Sequence, residues 1–125
     1  MVFAAVGRPD GRVADRILHG PDDDLAISIV VAGELRYGVD RKRSARLTQR
    51  VERWLGIIPI LPLEEGVDVH YAQVRTALER RGQTISGNDL FIAAHALALG
   101  ATLVTDNVRE FGRVEGLKIV NWLRD

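Results

Sequence analysis

A chain of 125 residues is the usual size of one folded unit, and 46% hydrophobic with 27% charged residues supplies a core, which excludes disorder and fibrous repeats. Seventeen Lys plus Arg balance seventeen Asp plus Glu, so no global positive field draws in a polyanion, and such a contact needs a local patch. The absence of cysteine removes disulfide frameworks and thiolate zinc sites and suits a reducing cytoplasm, while the longest apolar runs, Ile57 to Leu63 and Leu90 to Leu99, are too short to cross a bilayer.

Leu25 to Val31 follows the acidic turn Asp22-Asp23-Asp24, is short, apolar and rich in β-branched residues, and reads as a buried strand. A helix is expected directly after it, from Ala32 to Tyr37, stopping at Gly38. From Ser44 to Leu55, Leu47, Val51, Trp54 and Leu55 recur at helical spacing, with Arg43, Arg46, Arg50 and Arg53 on other faces. Trp54 on the apolar side is expected in the core or in a dimer contact. Ile57 to Leu63 looks extended, and Pro59 and Pro62 confine it to a sheet edge.

Val67, Tyr71, Val74 and Leu78 form an apolar stripe on a helix expected from Glu64 to Arg81, ended by Gly82. Asn88 to Leu99 leaves almost no polar face, so this helix is expected to be buried all round, with Ser86 as cap and Gly100 as its end. Ala101 to Thr105 and Leu117 to Val120 complete the set of strands. Helices alternating with short apolar strands indicate an α/β sandwich with a mainly parallel central sheet flanked by helices, a single domain over residues 1–125.

In an open parallel sheet, ligands bind beyond the carboxyl ends of the strands, so polar residues just past those ends are the functional candidates. Glu34, Asp89 and Asp106 qualify. Carboxylates converging there repel one another unless a cation sits between them, and hard Mg²⁺ or Mn²⁺ suits an oxygen site that activates water on a phosphodiester. The bland alternatives stand beside this: Asp89 as a helix N-terminal residue, Asp106 as a turn residue, Glu34 solvated or paired with Arg36.

Three segments carry a family resemblance: Ser28 to Gly38 (SIVVAGELRYG), Gly87 to Ala96 (GNDLFIAAHA) and Ala101 to Phe111 (ATLVTDNVREF). In this order they resemble the PIN-domain toxins of the VapC type. That resemblance implies a PIN-like three-layer sandwich, a metal-dependent endoribonuclease toxin acting on RNA, Mg²⁺ or Mn²⁺ as cofactor, a cognate antitoxin partner, a cytoplasmic setting and a homodimer. By motif, Glu34 matches the glutamate of the S-x-x-x-x-x-E-L segment and Asp89 the aspartate of the N-D-x-x-I-A-A helix. The family's last acid often stands two places past the strand threonine, which here is Asn107, with Asp106 one place past it. Asp106 or Asn107 is the expected further ligand, and Glu110 a more distant candidate.

Family members open with an apolar strand ending in an aspartate, whereas this chain opens MVFAAVGRPD. The resemblance therefore implies that the N-terminal strand and its aspartate are missing, through a late-assigned start or truncation; neither Asp10 nor Asp15 is promoted to the vacant role. Loss of a central strand would expose edges and weaken the metal site. The alternative reading is a catalytically impaired PIN remnant that only binds an antitoxin or self-associates.

His19, His70 and His95 lack paired zinc spacing and are expected to be structural. The glycines form neither a P-loop nor a dinucleotide fingerprint, and no serine sits in a nucleophile-elbow pattern. Arg41, Lys42, Arg43, Arg46, Arg50 and Arg53 concentrate positive charge that could hold RNA phosphates, an acidic peptide, or only water.

Overall fold

The structure, a computed structural model, describes residues 1–5 and 25–121. Its sheet has five strands, β1 (Val2–Ala4), β2 (Leu25–Ser28), β3 (Ile60–Leu61), β4 (Thr102–Val104) and β5 (Ile119–Val120), in the order β3-β2-β1-β4-β5. Every pairing is parallel. Among the described residues, five helices flank it: α1 (Ile29–Lys42), α2 (Ala45–Ile57), α3 (Val67–Arg80), α4 (Gly87–Leu99) and α5 (Val108–Phe111).

Val2–Ala4 takes the central place that the resemblance leaves vacant, which corrects the expectation of a sheet without its middle strand. Three apolar residues suffice because both neighbours are parallel strands with open edges: Val2, Phe3 and Ala4 register against Thr102, Leu103 and Val104 on one side, and Val2 and Phe3 against Leu25 and Ala26 on the other. The ladder runs on through Thr102 N–H to the Met1 carbonyl (3.0 Å) and Ala5 N–H to the Val104 carbonyl (2.8 Å). Ala4 and Ala5 bring no carboxylate to the strand's end. Asp10, Asp15 and His19 lie outside the described residues.

The first strand-helix boundary also differs from expectation. β2 stops at Ser28, whose hydroxyl accepts the Val30 N–H at 3.2 Å, so Ile29 to Val31 open the helix instead of closing the strand. α1 then runs straight through Gly38, because the buried series Val31, Ala32, Leu35 and Val39 carries the apolar stripe past it. The left-handed turn falls at Arg43 (φ 51°), whose N–H bonds the Val39 and Asp40 carbonyls. A β-branched run thus yields to a serine cap and a continuous apolar face.

The other elements form where expected, trimmed at their ends. Ser44 caps α2 through the Leu47 N–H, and Trp54 lies in the core. β3 is an edge strand on β2 only. α4 buries Leu90, Ile92, Ala93, Ala94, His95 and Ala96, and Gly100 closes it at φ 63°, the left-handed conformation that glycine adopts without a Cβ clash.

His95 fastens this helix to the sheet. Its ring is 1% exposed, packs edge-on against Phe3 of β1 (centroids 4.9 Å apart), and places Nδ1 2.8 Å from Ser28 Oγ at the end of β2. Ser28 Oγ already accepts the Val30 N–H, so its own hydrogen is free to go to Nδ1. The neutral ring then carries its proton on the other nitrogen, where the Pro62 carbonyl accepts it. Burial holds the His95 pKa below the ordinary histidine value, against the raising effects of the Pro62 carbonyl and the Glu64 charge.

This pin sets a first expectation. His95→Leu leaves the Ser28 O–H without its acceptor and the Pro62 carbonyl without the imidazole donor, and is expected to cost about 2–4 kcal/mol in urea denaturation at pH 7. Because a depressed histidine pKa favours the neutral form in the fold, that contribution is present above about pH 6.5 and is lost as pH falls through the lower folded value. Wild-type stability should accordingly drop between pH 7 and pH 5 more than that of the leucine variant; parallel curves would contradict the account.

Candidate active site

In a sheet whose helices run back against its strands, helix N-termini gather at the strands' carboxyl edge. The chain winds outward in one direction through β1, β2 and β3 and in the other through β4 and β5, so the switch point falls between β1 and β4. Three helices start at this edge with an acid in their first or second turn: Glu34 on α1, Asp89 on α4 and Glu110 on α5.

Each is set by a local device. Ser28 caps α1 two turns before the exposed Glu34. Ser86 Oγ accepts the Asp89 N–H at 3.2 Å and holds the first turn of α4, leaving Asp89 half-buried. Thr105, buried at the end of β4, accepts the Asn107 N–H at 3.0 Å; Asn107 Oδ1 in turn accepts the Glu110 N–H at 3.4 Å. Gly112 closes this short helix, where a Cβ would stand 2.6 Å from the Val108 carbonyl oxygen.

The acids feel one another. Burial pushes the Asp89 carboxyl up to about 6, helped by a hydrogen bond to Glu110 and by the charges of Glu110 and Glu34, with the Ser86 hydroxyl opposing. Asp89 thus lies beside Glu110, and Glu34 adds negative charge from the facing helix. Asn88 bridges the helices, donating to Glu34 Oε2 at 3.5 Å. Arg36 does not pair with Glu34; it grips Glu52 of α2 with two bonds, of 3.0 and 3.2 Å.

The structure therefore brings together Glu34, Asp89 and Glu110. Asp106 is exposed, and Asn107 spends its amide oxygen on the α5 cap. The more distant sequence candidate is the one beside Asp89. The missed signal was the helix after β4, since one turn carries residue 110 back over the strand end. Among the described residues, no three acids or histidines close into a ready-made metal cluster. The donor set is nevertheless all carboxylate, the chemistry of a hard divalent cation, and a half-buried carboxyl crowded by two others is what such a cation would relieve.

The PIN domain family matches residues 1–117, and the chain belongs to that family. It is 36% identical over 122 residues to the ribonuclease VapC2 of Rickettsia felis, covering 97% of this chain and 91% of that one. It is 32% identical over 99 residues to the tRNA(fMet)-specific endonuclease VapC of Salmonella typhimurium, covering 78% and 75%. Among solved structures, VapBC-1 of nontypeable Haemophilus influenzae superposes with a TM-score of 0.81 at 28% identity over 98% of this chain and 99% of that one. The parallel sheet and its flanking helices are thus the PIN-like α/β fold. Among the described residues, no helix is long and apolar enough to cross a membrane.

The acid pair predicts a stability effect of definite sign. A carboxyl raised from 3.8 to about 6 stabilises the fold below its ordinary value and loses that contribution as pH rises through about 6. Glu110→Gln is therefore expected to raise the Tm at pH 7 by a few degrees and to change it little at pH 4, while carboxyl-carbon NMR shows Asp89 titrating closer to its ordinary value. An unchanged Asp89 titration would separate the two residues.

Proposed function

We propose that this chain is a divalent-metal-dependent endoribonuclease toxin of a toxin–antitoxin module, with Asp89, Glu110 and Glu34 as its acidic centre. The observation that carries this reading is the half-buried Asp89 beside Glu110 near the switch point, in the field of Glu34. The names of the relatives, ribonuclease VapC2 and a tRNA(fMet)-specific endonuclease, support RNA as substrate, and the likeness to VapBC-1 supports an antitoxin partner. We place the protein in the cytoplasm, as a homodimer.

Mg²⁺ or Mn²⁺ bound there would neutralise phosphodiester charge and acidify a water. The chain's own residues do the rest. Asp89 and Glu34 supply anionic oxygen; Asn88 holds the Glu34 carboxylate in place. Glu110, beside Asp89, is placed to take the proton from the attacking water as its oxygen bonds to phosphorus and the bond to the leaving sugar oxygen breaks. Asp106 and Asn107 take the outer position, Asp106 open to solvent and Asn107 fixing α5.

Asp89→Asn should reduce cleavage of a tRNA pool in Mg²⁺ or Mn²⁺ by on the order of 10³-fold with the fold intact by circular dichroism. Glu110→Gln should lose more than about 10²-fold and Asp106→Asn less than about threefold. EDTA should silence the wild type. Undiminished cleavage by Asp89→Asn would overturn the assignment.

A second reading has its own support: β1 ends in Ala4 and Ala5, without an acid for the centre it adjoins. On that reading the protein is a PIN remnant that binds an antitoxin or its own copy. Folded wild type that stays silent in both metals yet binds such a partner would favour it.

A further inference from the structure

Six of the chain's seventeen cationic residues fall between positions 41 and 53, in a protein whose net charge is zero. The structure divides them. Arg41 holds its guanidinium 6.0 Å from the centre of the Tyr37 ring on α1, and Lys42 closes that helix. Arg46, Arg50 and Arg53 stand on α2 at steps of four and three, which at about 100° per residue puts them within roughly 60° of one another. The same arithmetic puts Leu47, Val51, Trp54 and Leu55 on the face that enters the core, and Glu52 away from the arginines. Arg43 extends the stripe at the helix entrance.

These arginines are exposed, and among the described residues no carboxylate lies within ion-pair distance of Arg43, Arg46, Arg50 or Arg53. The nearby Glu52 is already held by Arg36 with two bonds. Four guanidinium groups in a row, kept apart from the one acid on their helix, form a local positive strip. Among the described residues, the concave surfaces found lie along α3 and α4 rather than on this strip. A partner peptide needs apolar anchor sites as well as charge, whereas a nucleic-acid backbone needs only regularly spaced charge.

We propose that the outer face of α2, through Arg43, Arg46, Arg50 and Arg53, is a docking surface for the phosphate backbone of RNA, separate from the acidic centre. Arg46 to Arg53 spans about 10 Å of helix, roughly three phosphate steps of a stacked strand at about 3.4 Å each. Guanidinium forks suit phosphate oxygens and keep their charge at every working pH. The acidic edge repels a polyanion, so a positive strip elsewhere supplies the attraction that the centre lacks. The inference takes the identity of the polyanion from the nuclease reading and adds where it is held.

The test is binding of a labelled tRNA to the full chain in EDTA, followed against salt concentration, for wild type, for R46Q/R50Q/R53Q and for R75Q/R80Q/K118Q, which removes the same charge elsewhere. The α2 triple variant is expected to bind more than tenfold more weakly at about 0.1 M salt, its log–log salt slope reduced by about two. The control triple variant should stay within about threefold of wild type. Equal losses in both variants, unchanged binding by the α2 variant, or wild-type preference for an acidic peptide over tRNA would overturn the proposal. Metal-dependent cleavage is scored separately: a wild type that binds tRNA through α2 but never cuts it refutes the nuclease reading and leaves the docking surface standing.

Discussion

The contact on which the rest of the molecule depends is between the buried His95 ring, the Ser28 hydroxyl and Phe3. These residues belong to α4, the end of β2 and the central strand, three pieces distant in sequence that meet at the carboxyl edge of the sheet. A hydroxyl that caps one helix and donates to an imidazole on another gives that edge a single arrangement, because each group has one way to satisfy its hydrogen bonds without water. Glu34 follows Ser28 on one helix and Asp89 precedes His95 on the other, so the pin also sets how the two acids face.

The centre built on that frame is costly by design. Placing Asp89 half-buried beside Glu110 and in the field of Glu34 makes its ionised form unfavourable, the opposite of what stability alone would choose. The surroundings hold the arrangement through small, ordinary bonds: a serine cap on α4, an asparagine cap on α5, a threonine beneath it and Asn88 across to Glu34. Electrostatic tension is concentrated where helix starts converge. The arginines of α2 lie on another surface, so attraction for a polyanion and the acids that would act on it are spatially divided.

Much of this was legible in the residues themselves. The serine before each of α2 and α4, the glycine after α4 and the all-apolar run from Leu90 to Leu99 identify those helices and their burial, because capping and periodicity are local. Pro59 and Pro62 place β3 at an edge, since a strand with missing donors cannot be paired on both sides. Glu34 and Asp89 stand out by motif. The extent of β2 was misread because Ile29, Val30 and Val31 favour a strand by propensity, and only Ser28 bonded to both Val30 and His95 turns them into a helix. The resemblance places Met1 just after a missing strand, while pairing on both sides makes Val2–Ala4 the strand itself.

The sequence by itself determined that the chain alternates strands and helices around a parallel sheet, that its acids fall just past strand ends, and that α2 bears an arginine face, since each depends on neighbours within a turn or two. Only the tertiary structure decided which acids meet. Asp106 and Glu110 are four residues apart, and one turn of helix between them sends one to solvent and the other to Asp89. Proximity between residues far apart in the chain is settled by how helices pack on a sheet, and no local pattern carries that information.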